Sequence, residues 1–340
     1  MKPVLTLVLL TLALICAPID LRAEEIVINA VGDIMLAGKW AKALKSRGYE
    51  HPFADVRSEL SRGDINLANL ESPVATGGSE FSNKQFRFRA EPAVAGAVRA
   101  AGFNLVTLAN NHSMDFGGEA LTETLQHLDS AGIAWIGAGV NLDEARKMAL
   151  YTIKDKRIAF LAYSLTQPLD FFAGKTRPGT TPGYEKLVAA DVASARRQAD
   201  YVIVSFHWGR EASGSVQAYQ SNAAHNAIDA GADAVIGHHP HVLQGIERYK
   251  NGIIFYSLGN FAFASKSKTA DVSALVRLRL DGRQRTAEIL PLDVLHRRVG
   301  FQPRLLSGDR AREVIEKLRQ LSRPFKTEIR NTDAGYSINF

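Results

Sequence analysis

Six short segments carry most of the metal-capable side chains of this chain, and each begins where an apolar run stops. Ile26 to Val31 ends in Gly32-Asp33, Ile65 to Asn69 leads into Asn69-Leu70-Glu71, and Leu105 to Ala109 leads into Asn110-Asn111-His112. Tyr201 to Phe206 is followed by His207-Trp208-Gly209, Ala234 to Ile236 by Gly237-His238-His239-Pro240-His241, and Ile253 to Ser257 by Leu258-Gly259-Asn260-Phe261. Singly, each has an ordinary explanation. An Asp after a strand caps or turns the chain, Glu71 before Pro73 can be a solvated loop acid, and two neighbouring histidines can both face water. Asn110-Asn111-His112 is harder to dismiss, because two amides and an imidazole beside a core need partners. In His239-Pro240-His241, alternate residues of an extended segment would point the same way and share an ion.

Together the six segments predict one nitrogen-and-oxygen site suited to Mn, Zn or Fe(II), with one or two divalent ions. The only cysteine is Cys16, inside the proposed leader, so thiolate ligands are excluded from the mature chain. Two ions about 3.5 to 4 Å apart need a bridging carboxylate, which Asp33 or Glu71 can supply, and hold a water between them as hydroxide. His112 is the candidate catalytic residue: Asn111 before it can be the ligand, leaving the imidazole free to protonate a leaving group.

The elements that must position these residues alternate. Strands are predicted at 26–31, 65–69, 105–109 and 133–136, with helices at 53–60, 93–101, 119–131 and 142–147 between and after them. A hairpin around Lys154-Asp155-Lys156 and a polar loop from Thr166 to Gly183 follow, and a loop of that length suits a specificity element. Helices at 187–198 and 216–230 flank strands at 201–206 and 234–236, and strands at 242–249, 253–257, 273–280 and 286–295 follow without helices between them, the Asn251-Gly252 pair fitting a hairpin turn. A helix at 311–321 closes the chain. This order predicts an α/β protein, a four-layer α/β/β/α sandwich, in which loops beyond the carboxyl ends of the strands share one crevice.

Residues 1–23 read as a signal peptide, with Lys2, an apolar run from Val4 to Ile15, and Leu21-Arg22-Ala23 at the cleavage point. That run is shorter than the about 20 residues a membrane span needs. An exported protein, periplasmic or extracellular, is therefore expected. Lipid anchoring through Cys16 is disfavoured, because Ile15 stands where acylation sites carry a small residue. The formal charge of +6 is dispersed, so nucleic-acid binding is not expected. Residues 24–300 form the expected main domain and 301–340 a C-terminal helix and tail.

Val31-Gly-Asp-Ile-Met-Leu36, Asn69-Leu-Glu71, Leu108-Ala-Asn-Asn-His-Ser-Met-Asp-Phe-Gly117, His207-Trp-Gly-Arg-Glu211, Gly237-His-His-Pro-His-Val-Leu-Gln244 and Ser257-Leu-Gly-Asn-Phe261 resemble the capsule-synthesis CapA family, which includes the poly-γ-glutamate capsule protein and belongs to the calcineurin-like metallophosphatase superfamily. The resemblance implies a metallophosphatase-like sandwich with Asp33, Glu71, Asn111, His207, His239 and His241 around the metals and His112 as acid or transition-state stabiliser. It places His238, Asn110, Glu211, Gln244, Glu247 and Asn260 behind the ligands. Two departures stand out: Met35 occupies a position where the superfamily has a ligand histidine, and Asn-Leu-Glu replaces Gly-Asp-x-x-Asp.

Two functions follow from the resemblance. One is metal-dependent hydrolysis of a phosphoester, amide or γ-glutamyl bond in an envelope polymer. The other is a non-catalytic accessory role, binding a nascent anionic polymer during synthesis or export, together with membrane-associated synthesis machinery. Lys84, Arg87, Arg89 and Arg210 suit an anionic partner in either case.

Overall fold

The computed structural model describes residues 25–340 apart from 39, 40, 266, 283 and 334. The proposed leader, Cys16 included, lies outside the described residues. Among those described, no helix is long and apolar enough to cross a membrane.

Two sheets face each other. At the centre of the first, strands Ile26–Met35, Ile65–Leu70, Leu105–Thr107 and Ala134–Ile136 run parallel, and antiparallel strands Val272–Leu280 and Arg285–Asp293 extend it. The second sheet has a parallel centre of Gly252–Phe255, Ala234–His238, Tyr201–His207 and Lys156–Ser164, closed at both edges by hairpins to Ile246–Tyr249 and Ala149–Ile153. Strands buried on both faces read as continuous apolar runs, and Ile26–Met35 and Tyr201–His207 are buried at every position. Ile26, Ile28, Leu67, Phe160, Ile203 and Ile236 fill the space between the sheets. Helices Ala93–Ala100 and Gly117–Ala131 cover the far face of the first sheet through Val94, Val98, Leu121 and Leu125. Helices Glu185–Arg196 and Ala218–Asp229 cover the second through Val188, Val192, Ala224 and Ile228. These are the four layers of the α/β/β/α sandwich.

Several elements differ from the sequence-based expectation. The predicted helix 53–60 is a 3-10 turn at His51–Phe53 followed by a short helix, Arg57–Leu60. The strand predicted from 242 begins only at Ile246, because the preceding His-Pro-His segment turns with positive φ at His239 and His241. The hairpin turn expected at Asn251-Gly252 falls one residue earlier, on Lys250 and Asn251, and Gly252 already belongs to the strand. The loop 166–183 is less open than expected: Phe171, Phe172 and Ala173 are buried, and Gly179–Thr180 pairs with Ala138–Gly139. After residue 300 the chain is not an appended helix and tail. Strands Arg304–Leu305, Arg330–Thr332 and Gly335–Asn339 join the first sheet, and helix Gly308–Ser322 places Val314, Ile315 and Leu318 in the core between the sheets.

One crossing ties the two sheets together at the end where the candidate residues lie. After Gly252–Phe255 in the second sheet, residues 256–259 pass to the first, where Asn260–Phe263 pairs with Ile26–Met35 and sets Asn260 beside Asp33. The crossing passes so close that side chains are excluded. A Cβ on Gly32 would sit 2.0 Å from the Gly259 carbonyl oxygen, and one on Gly237 2.1 Å from that of Tyr256. The Asp33 amide donates to the Gly259 carbonyl at 3.0 Å, fixing the crossing to the strand that bears the first acid. Gly237→Ala is therefore expected to lower the unfolding free energy by at least about 1–3 kcal/mol, the cost of overpacking. Gly96→Ala, in a helix with open space around it, is expected to be neutral or stabilising by about 0.4–1 kcal/mol. Denaturant unfolding of both variants checks this, and equal midpoints would contradict a tight crossing.

Candidate metal centre

The strand ends bring Asp33, Glu71, Asn111, His207, His239 and His241 to one place between the sheets. Donor atoms of Glu71, His207 and His239 lie within 4.8 Å of one another, and so do donor atoms of Asp33, Glu71 and His241. Glu71 belongs to both groups, so of the two candidates for a bridging acid it is the one the geometry selects. Its Oε1 is buried without a hydrogen bond, 3.6 Å from His207 Nε2 and 3.7 Å from His241 Nε2. Asn111 Oδ1 lies 2.8 Å from His207 Nε2. Two donors held at about 2.1 Å and at right angles on one ion stand about 3 Å apart, so this spacing suits two ligands of one ion.

His239 and His241 converge for a reason other than strand alternation. Both have positive φ, 94° and 59°, and the segment turns rather than extends. Non-glycine residues pay for that conformation, and such strain gathers at functional sites. The His239 ring lies 4.7 Å from that of His207 and 5.9 Å from that of His241. Met35 is buried in the apolar core under the helices and offers the site no donor.

Burial and close packing shift the protonation of the candidate ligands in opposite directions. Burial would raise Asp33, but hydrogen bonds and charge from His238 and His241 outweigh it and hold the carboxyl well below its usual range. Burial pushes Glu71 well above its ordinary value, and the neighbouring Asp33 charge adds to the rise. Burial likewise lowers His207 well below the imidazole range and His239 to about 3, with the neighbouring histidines adding to it, so both keep neutral lone pairs. For His241 burial is overcome by Glu71 and Asp33, which push it up to about 9. Metal-free, burial thus favours the protonated form of Glu71, while Asp33 is balanced by a proton on His241. A divalent ion among the same donors would replace that proton. The buried, unpartnered Glu71 Oε1 and His239 Nδ1 fit such an ion.

Asn69 organises the floor of the site, a role the sequence left unassigned. Its amide nitrogen lies 2.8 Å from Asp33 Oδ1 and 3.3 Å from both Glu71 Oε2 and His207 Nδ1, and its oxygen accepts from Asn110 at 3.0 Å. Asn110 also accepts from the His112 amide at 3.0 Å, fixing the turn that presents Asn111 and His112. His112 Nδ1 lies 2.7 Å from Asp115 Oδ2 and 2.8 Å from Lys84 Nζ, and Lys84 pairs with Asp115 Oδ1 at 2.6 Å. Burial lowers the His112 pKa against the opposing charge of Asp115. The one available signal for Asp115 was its i+3 spacing from His112. Of the four basic residues singled out, Lys84 reaches this pair. Arg87 and Arg89 are engaged with Glu80 and with the Gly77 carbonyl and the Phe116 ring.

The supporting residues divide. Asn260 Oδ1 and Asp33 Oδ2 each lie 3.0 Å from His241 Nδ1, and His238 Nδ1 lies 3.2 Å from Asp33 Oδ1, so Asn260 and His238 adjoin candidate ligands. Two expected supports do not touch a candidate ligand histidine. Gln244 accepts from Gln220 and donates to the Ser213 and Ser215 carbonyls. Glu247 accepts from Tyr256 at 2.6 Å and pairs with His225 at 3.0 Å, on the helix-covered side of the second sheet. Both follow the chain away from the site. Glu211 is exposed, with a carboxylate oxygen within 4.8 Å of donor nitrogens of His239 and His241, in front of the histidines and not behind them.

Comparison with known proteins agrees with the residue pattern. The profile described as bacterial capsule synthesis protein PGA_cap matches residues 27–265. The capsule biosynthesis protein CapA of Bacillus anthracis is 32% identical over 288 residues, spanning 82% of this chain and 70% of that protein. The PGA biosynthesis protein CapA of Bacillus subtilis is 32% identical over 268 residues, spanning 78% and 70%. Among solved structures, the NAD nucleotidase of Haemophilus influenzae is similar at a TM-score of 0.47 and 13% identity, covering 87% of this chain and 62% of that one, so this chain spans under two thirds of its length.

Metal should act on stability as well as chemistry. Mn²⁺ or Zn²⁺ at about 100 times Kd is expected to stabilise the chain by about 2.7 kcal/mol, read as a rise in Tm. Glu71→Gln should keep the metal-free Tm and lose the rise. The proton on His241 stabilises the metal-free fold fully below pH 6.5, and that contribution fades as pH rises to about 9. Metal affinity should climb over the same window. An equal metal-induced rise in Glu71→Gln would contradict the ligand assignment.

Proposed function

Since the chain belongs to the bacterial capsule synthesis family PGA_cap, we propose that its strand-end cluster is a metal-dependent hydrolytic centre acting on an anionic envelope polymer of the poly-γ-glutamate type, outside the cytoplasm. The observation that carries the reading is the placement of His112. A buried imidazole, tied through one nitrogen to Asp115 and Lys84, adjoins Asn111 at the edge of a cluster in which Glu71 Oε1 and His239 Nδ1 lack partners. A site that only bound a polymer would have no need of an oriented proton carrier next to metal ligands.

When bound, divalent ions would acidify a water to a nucleophile and offset the charge of the group attacked. Asp33, Glu71 and His241 would hold one ion, and Glu71, Asn111, His207 and His239 the other. Asn69 orients both acids, and Asn260 sets the ring of His241. His112, its ring fixed at Nδ1 by Asp115 and Lys84, would take up at Nε2 the proton lost by the attacking water and pass it to the departing oxygen or nitrogen, returning to the neutral form that burial favours. Lys84 also carries a positive charge to the edge of the site, where an anionic chain is recognised. The loop 166–183 supports that edge, because Phe171 packs edge-on against Phe81 at 5.0 Å and beneath Lys84 at 5.5 Å.

The test is turnover by Mn- or Zn-loaded protein on a phosphodiester, on poly-γ-glutamate and on peptidoglycan fragments. His112→Ala is expected to lower kcat by about 10²–10⁴-fold on the substrate that is cut, with metal content unchanged. Tight binding of poly-γ-glutamate without turnover of any substrate, at full metal loading, would replace the hydrolytic reading with the accessory one.

A further inference from the structure

We propose that Glu211 is itself a ligand of the centre, closing it on the solvent side opposite the buried Glu71. The inference rests on the metal-centre reading and adds a donor to it. One oxygen of Glu211 and donor nitrogens of His239 and His241 all lie within 4.8 Å of one another. Among the described residues, no lysine or arginine stands within ion-pair distance of this exposed carboxylate.

The backbone around Glu211 is built to hold it there. Gly209 and Ala212 both have positive φ, 89° and 57°, which folds the segment back on itself. The Ala212 amide donates to the Pro240 carbonyl at 2.9 Å, pinning this turn to the residue between the two histidines. A Cβ on Gly209 would lie 3.0 Å from Pro240 Cγ, so the two turns are in close contact. The Gly209 amide donates to Tyr219 Oη at 2.7 Å, and the buried Gln244 amide donates to the Ser213 and Ser215 carbonyls at 3.0 and 3.1 Å. Gln244 thus acts on the histidines' surroundings by anchoring the loop that carries Glu211. An unsupported surface acid would not need these restraints.

Donor count gives the physical reason. The corner formed by Asp33, Glu71 and His241 has three protein donors, since Met35 points into the core. Ions of this class take four donors or more. Glu211, grouped with His241 of that corner and with His239 of the neighbouring one, supplies a further donor where the two corners meet, from the solvent side. Being exposed, it is the donor most readily exchanged for an incoming anion.

The test is Mn²⁺ titration of the full chain by calorimetry, comparing wild type, Glu211→Gln, Glu211→Asp and, as a charge control, Glu328→Gln in the C-terminal segment. Losing even an outer partner of a metal ligand costs about 10- to 100-fold in affinity, and Glu211→Gln is expected to weaken the looser Mn²⁺ by at least that factor while leaving the tighter one in place. Glu211→Asp, which keeps the charge but withdraws the oxygens, should weaken it too, and Glu328→Gln should match wild type. Wild-type binding by Glu211→Gln, or by Glu211→Asp alone, would overturn the inference and leave the buried centre standing. Failure of the wild-type chain to bind Mn²⁺ would instead overturn the metal centre itself.

Discussion

Two carboxylates, those of Asp33 and Glu71, are both shut away from water and surrounded by the same few side chains. Burying charge without compensation costs several kcal/mol for each group. Everything around the pair can be understood as compensation. Asn69 turns one amide towards both acids, His241 lends a proton, and the ends of strands Tyr201–His207 and Ala234–His238 bring the imidazoles of the second sheet to the acids of the first. A fold that keeps this arrangement without a strong cation has accepted a cost that a divalent ion would remove.

The crossing of residues 256–260 between the sheets makes that arrangement possible. It places Asn260 against the strand bearing Asp33 and passes above the strand that ends in His238, at distances only glycine tolerates at positions 32 and 237. The acids come from one sheet and the imidazoles from the other, so neither sheet alone could form the site.

Much of this was legible in the residues. Apolar runs ending in Asp, Glu, Asn or His reveal both the strands and the edge at which they end, because strands buried on both faces are short continuous apolar runs, set apart from the longer 3.6-residue pattern of the helices. What stayed hidden was three-dimensional in origin. Alternation suggested that His239 and His241 converge because the chain is extended, whereas they converge through two left-handed residues that no periodicity announces. Gln244 and Glu247 follow the histidines closely in sequence, yet the chain carries both away from the ligands. Asn69 looked like a companion of Glu71 and proved to contact both acids, a fact that depends on the parallel register of 26–35 with 65–70. The strands after residue 300 are short, and they take their place through hydrogen bonds to the edge of the first sheet and through Ile338 in the core.

The central claim is that Glu71 joins two ions in one centre. Electron paramagnetic resonance of the full chain loaded with two equivalents of Mn²⁺ tests it most directly, because ions sharing a carboxylate are magnetically coupled and isolated ions are not. The account predicts a coupled spectrum that collapses to that of isolated Mn²⁺ in Glu71→Gln. A wild-type spectrum of isolated Mn²⁺ alone, at every loading, would contradict it.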